Sequence, residues 1–183
     1  SDRSVKPTDL SATREVETLN AAKAYGLADV VFLRMKDQGL EDNDEFREKL
    51  VRQIRIHKPR LLLTIDPNRP YIRHRDHSMT GRVALDAVFP YARDHVAYPE
   101  HLKEGIEPHK VEEVWLFRPE QPNHHVDVTE YFETRQNALH SHVSQVGERS
   151  EERDERSRKR LTETGEKYGV ELAEQFMRIE IGR

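Results

Sequence analysis

The sequence predicts an α/β protein with a mostly parallel sheet and flanking helices, and three observations carry that expectation. Leu61-Leu62-Leu63-Thr64-Ile65 is almost unbroken in apolar character, the pattern of a strand buried on both faces in a parallel sheet. Helix-like and strand-like segments alternate along the chain, as right-handed crossover connections require. Between Tyr71 and His77 lies a polar loop dense in His, Arg and Asp, followed by an amphipathic pattern from Thr80 to Val88. A strand, a polar loop and then a helix is how α/β proteins place chemistry at the carboxyl end of a sheet.

In chain order, Ser1 to Asp9 reads as a polar loop containing Pro7. Ser11 or Thr8 then caps a helix to Tyr25, with Val16, Leu19 and Ala22 on one face and Gly26 as its stop. Val30 to Leu33 reads as a short buried strand, and the loop from Met35 to Asn43 carries Asp37 and Gly39. Asn43 or Asp44 caps a second helix with Phe46, Leu50, Val51 and Ile54 inward, ended by Pro59. Val83, Ala84, Ala87 and Val88 form the apolar stripe of the helix after the His-rich loop. Tyr91 to Lys110, with prolines at 99 and 108, reads as a long irregular arm. Val111 to Phe117 returns to strand character, Val126-Asp127-Val128 is a short strand, and Thr129 caps a helix to about Val143. Glu148 to Arg160 is nearly all charged and reads as a solvated helix. Gly169 to Ile179 forms an amphipathic element that packs on the core. The division expected is an α/β domain over residues 1–147, incomplete at its amino terminus, with residues 148–183 added to it. The first strands of such a fold are missing, because a sheet of this kind normally opens with a strand.

Composition bounds what the chain can do. With 183 residues it forms one ordinary domain, or a domain and a tail. A formal charge of −4 leaves no basic excess for neutralising phosphates, which argues against a nucleic-acid partner. No apolar run approaches the roughly 18 residues that a membrane span needs. Neither is there a secretory leader, so a cytoplasmic location is expected. The absence of cysteine excludes disulfides, thiolate catalysis and Cys-ligated metal. Ten histidines leave imidazole as the nitrogen ligand for any metal.

The chemistry centres on His74-Arg75-Asp76-His77. Two imidazoles this close can divide labour, one on a metal and one toward substrate, and Asp76 can fix a ring tautomer. A solvated His-rich loop is the competing explanation. Asp37, Asp66 with the two histidines, and Asn123-His124-His125 each follow a predicted strand, so a parallel sheet would gather them on one rim. Arg14 sits near a helix start that is already positive, where it is either solvated or substrate-binding. His57, His95, His101 and His109 have no partner pattern and read as surface, and His142 reads as a helix-end packing residue. No Gly-x-Gly-x-x-Gly joins a strand to a helix, which disfavours a nucleotide-binding Rossmann protein.

An ordered set of stretches resembles the PIG-L/LmbE-like N-acetylglucosaminyl deacetylases. They are Arg14-Glu15 with its alanine-containing helix, Asp37-Gln38-Gly39-Leu40, Arg47 to Val51 with Pro59 to Pro67, and His74 to His77 with Thr80-Gly81-Arg82. Further on come Val111 to Phe117, Pro122-Asn123-His124, Val126 to Thr129, and Ala138-Leu139 with His142, Ser144 and Gln145. The resemblance implies a Rossmann-like fold and zinc-dependent removal of acetyl from an N-acetylated sugar, glycoconjugate or related amide. It implies His77 as a zinc ligand, and His74 as the group that protonates or stabilises the tetrahedral intermediate, oriented by Asp76. Arg14 and Asp37 match positions that hold sugar hydroxyls, and Asn123 and His124 belong with them as substrate-binding candidates. Tyr71 stands in for a tyrosine before the motif, but Ile72 and Arg73 separate it from His74.

The family's opening His-Pro-Asp-Asp type motif, with two zinc ligands and the general base, has no counterpart in the chain. The expectation is therefore a partly encoded zinc site, inactive in this chain alone. The alternative is a non-catalytic α/β module that binds a sugar or serves in assembly. The Tyr91–Lys110 arm could serve a subunit contact, so a homo-oligomer is among the expected states.

Overall fold

A computed structural model describes residues 7–71 and 74–182. Two compact units divide the chain: one runs up to Phe32 and over Val126–Glu174, the other covers Leu33–His125 and the stretch from Gln175.

The second unit holds α2 (Asp44–His57), β1 (Leu61–Ile65), α3 (Arg75–Asp86), α4 (Pro99–Lys103) and β2 (Glu113–Phe117). Asn43 caps α2 by accepting the Phe46 N–H at 2.9 Å, as expected. Lys58, in the left-handed region, closes its other end by donating to Ile54 O. The His-rich loop is shorter than the sequence suggests, because α3 begins inside the motif with His74 as its N-cap. A π-turn over Ala87–Tyr91 follows α3, where Pro90 cannot continue the α-helical hydrogen-bond ladder.

The four-stranded sheet has the order β1-β2-β4-β3, with β3 at His124–Asp127 and β4 at Ala173–Glu180. The expected α/β layering with flanking helices is present, and the sheet is mixed. β1 and β2 run parallel, with Leu63 opposite Trp115, whereas β2 and β4 run antiparallel, with Trp115 opposite Arg178. One face packs on the helices through Val51, Ile54, Ala87, Val88, Val111, Val114 and Leu116, with Leu62, Met177 and Ile179 against them. Burial of β1 on both faces is not found: Leu61 and Leu63 are 37% and 55% exposed. Among the described residues, β1 lies at one end of the strand order. An apolar run shows that a strand gains from burial, but not how many of its faces find cover.

In the first unit, α1 (Pro7–Tyr25) packs against α5 (Phe132–His140) and α6 (Val143–Val146). The helix starts earlier than the sequence suggests, at Pro7, which suits a first helical turn because its missing N–H needs no partner there. Residues 1–6 of the expected loop lie outside the described residues. Gly26 ends α1 at φ +67°, with Leu27 N–H donating to Ala22 O at 2.9 Å. The packed face differs from the expected one. Ala21, Ala22 and Glu17 are buried, whereas Val16 and Leu19 stay exposed. Small side chains permit close helix approach, and Glu17 is satisfied by Ser144, whose N–H and Oγ–H donate to its carboxylate at 2.6 and 2.7 Å. Val30 to Leu33 forms no strand, since an apolar run needs a ladder partner and none pairs with it among the described residues. The charged segment is α7 (Glu151–Gly165), which presents Ser157, Leu161 and Gly165 inward.

Candidate active site

α3 emerges from the carboxyl side of β1 and packs tightly on its end. A Cβ at Gly81 would sit 2.3 Å from Ile65 O, so only glycine permits this approach. Gly81 lies one turn beyond His77 on α3, so the close approach holds the helix against the strand end near the two histidines. His74 at the N-cap and His77 three residues on share one side of the helix start, with ring centroids 4.8 Å apart. Both residues are exposed. The Asp76 N–H donates to His74 Nδ1 at 3.2 Å, so in the neutral ring the proton sits on Nε2.

Asp76 is 7% exposed, and its carboxylate faces a different loop. Oδ2 accepts the Gln38 N–H at 2.6 Å and Oδ1 the Leu40 N–H at 3.4 Å. The main chain of Asp76, not its carboxylate, therefore touches the His74 ring. The turn it grips is closed by Gly39 N–H to Lys36 O at 3.2 Å, with Gln38 at φ +58°. Asp37 rides on this turn, so Asp37 and the motif belong to one local assembly.

The remaining candidates are placed variously. Tyr71 is 95% exposed at φ +59°, and Ile72 and Arg73 lie outside the described residues. The Asn123 amide is engaged with the main chain of Arg178, donating to its O at 3.0 Å and accepting its N–H at 2.7 Å. The His124 ring lies 4.5 Å from Trp115. Arg14 lies on α1 in the first unit, one turn before Glu17. Among the described residues, no group of three or more His, Asp or Glu could hold a metal ion.

Among the buried polar assemblies that sequence reasoning missed are those of Glu17 and His101. Glu17 joins α1 to Ser144; burial alone would raise its carboxyl, but the two Ser144 bonds, with His142 and Arg14 nearby, hold it below the ordinary range. His101, read from sequence as surface, is fully buried against Arg55 and Glu48. Its signal was available in part: Glu48, Arg52 and Arg55 recur at helical spacing on α2, which places polar groups along a face that packs.

The α/β layer of this chain is similar to those of known proteins. The PIG-L family profile, described as GlcNAc-PI de-N-acetylase, matches residues 1–88 of this chain. Diacetylchitobiose deacetylase of Thermococcus kodakarensis is 29% identical over 147 residues, which is 80% of this chain and 55% of that protein. The chain thus spans little more than half the length of that curated relative. The structure of N,N'-diacetylchitobiose deacetylase from Pyrococcus horikoshii, complexed with its inhibitor MPG, superposes with a TM-score of 0.88 at 26% identity, covering 98% of this chain and 68% of that one. The conserved protein TT1542 from Thermus thermophilus gives 0.78 at 25% identity, covering 98% of this chain and 77% of that one.

Proposed function

We propose that the chain carries the His74–His77 side of a PIG-L-type hydrolase centre, which removes acetyl from an N-acetylated sugar such as a chitobiose derivative. The observation that supports this most is the pair of exposed imidazoles, 4.8 Å apart, at the start of a helix fixed on the end of β1. The reaction would add water to the acetyl carbon, break the C–N bond and leave acetate and a free amine. His74 is suited to holding the acyl oxygen, because its Nδ1 accepts the Asp76 N–H and its Nε2–H is left to donate a hydrogen bond there, while the proton taken up by the departing nitrogen is the one the attacking water gives up. Asp37, on the turn docked beside the motif, would bind sugar hydroxyls. Arg14, Tyr71, Asn123 and His124 remain candidates for the same task.

Zinc belongs to this reading, with His77 as its ligand in the chain. A catalytic zinc typically keeps about three protein ligands, and the described residues offer no such group. They do not by themselves fit the ion. The isolated 183 residues are expected to hold zinc weakly and to release little amine.

The test is acetate and amine release from N,N'-diacetylchitobiose and N-acetylglucosamine by the gene product that contains these residues, supplied with zinc. Turnover that falls about 100-fold or more in His74→Ala supports the assignment. Absence of turnover in the parent protein favours the alternative, a non-catalytic sugar-binding or assembly module.

A further inference from the structure

We infer that the Asp76 carboxylate is a positioning group for the substrate side of the site: it docks the Lys36–Leu40 turn, and hence Asp37, onto the start of α3. The role of Asp37 rests on the hydrolase reading above; the docking itself does not.

Three observations carry the inference. First, the carboxylate is nearly closed off from solvent, and the partners found for its two oxygens are N–H groups of the turn, at 2.6 and 3.4 Å. Bonds from neutral donors to an ionised carboxylate are stronger than neutral pairs. A buried carboxylate left without them would be costly. Second, the turn is shaped to present those donors. Gln38 occupies the left-handed region and Gly39 folds back on Lys36, so N–H groups two residues apart converge on one acceptor group. Third, Asp76 holds the motif through different atoms. Its N–H goes to His74 Nδ1, and its carbonyl accepts Thr80 Oγ–H at 2.8 Å. One residue thus ties two loops, the His74 ring through its backbone and the Asp37 turn through its side chain. Replacing only the side-chain function should release the turn and leave the ring bond in place.

The substitution Asp76→Asn makes that separation. The amide keeps the shape and one acceptor oxygen, but it loses the charge and turns an NH2 group toward one of the two donors. In the 183-residue chain, amide hydrogen exchange at Gln38 and Leu40 should accelerate about tenfold or more, with the helix amides of α3 unchanged. The 15N resonance of His74 Nδ1 should keep its hydrogen-bonded value. In the gene product assayed on N,N'-diacetylchitobiose, KM should rise more than kcat falls, with an unchanged pH profile, and Asp76→Glu should restore part of the loss. Unchanged protection at Gln38 and Leu40, or a shifted His74 Nδ1 resonance, overturns the inference. So does a kcat-only defect with an altered pH profile, which would return the carboxylate to His74. If exchange accelerates as stated but the parent protein turns over no acetylated sugar, the hydrolase reading fails and the docking role stands.

Discussion

Arg55 and His101 share a hydrogen bond sealed from solvent, with the guanidinium Nη1 3.1 Å from the imidazole Nδ1. Arginine has no acceptor, so Nδ1 must accept, and the ring proton on Nε2 is left for the Glu48 carboxylate at 2.7 Å. The rest of the guanidinium binds the carbonyls of Tyr91, Ala92, Asp94 and Ala97 at 2.7 to 3.1 Å. One side chain on α2 thereby folds the arm that the sequence shows only as irregular.

Arg55→Met should remove this template and leave several carbonyls buried without donors. A loss of about 3–5 kcal/mol is expected, the cost of breaking a buried charged network. Urea denaturation followed by Trp115 fluorescence would measure it. Arg55→Lys should restore little, because an ammonium cannot span the same fork of acceptors.

The phenol of Tyr98 is pushed up to about 12 by burial and by its bond to the Asp44 carboxylate. Ultraviolet titration should show a tyrosine that ionises well after the ordinary ones, and Asp44→Asn should return it toward the normal range. Titration of all tyrosines together near about 10 would contradict this geometry.

Gly81→Ala should destabilise the second unit by about 1–3 kcal/mol, as overpacking does. The added methyl meets a backbone oxygen, which cannot rotate away. Differential scanning calorimetry would read the loss, and the His74–His77 ring contact should weaken in the same variant as α3 shifts from the strand end.

Acid should loosen the first unit through Asp154 and Glu17. Burial would raise Asp154, but bonds from His140 Nε2 and Gln136 Nε2, each at 2.6 Å, outweigh it and hold the carboxyl below its ordinary value. A carboxyl depressed in the folded state adds stability above the unfolded value of about 4, and that stability drains away as pH falls through the folded value. Unfolding free energy measured from about pH 6 to 3 should decline, with a shallower decline in Asp154→Asn.

The legible parts of the sequence were those with local causes. Asn43, Pro59 and Gly26 each mark a helix end by their own chemistry, and the stripe of Val83, Ala84, Ala87 and Val88 is buried as its spacing implies. Val30 to Leu33 and the outer face of β1 were misjudged because strand pairing and cover come from elsewhere in the chain. The motif at His74 to His77 could be found by residue type. The direction of the Asp76 carboxylate could not, since its partners lie 36 and 38 positions away. The burial of His101 showed only in part, through the polar spacing on α2, because its partners lie 46 and 53 positions away.

The strand order places β4 between β2 and β3, although it is the last of the four to be synthesised. During translation, β2 and β3 must therefore wait with open edges, and neither can be zipped to the other in the meantime. Helix α7 emerges before the strand that joins β2 to β3. Removing Ala173–Glu180 should thus cut the sheet in two and leave a nascent product that invites chaperones or self-association.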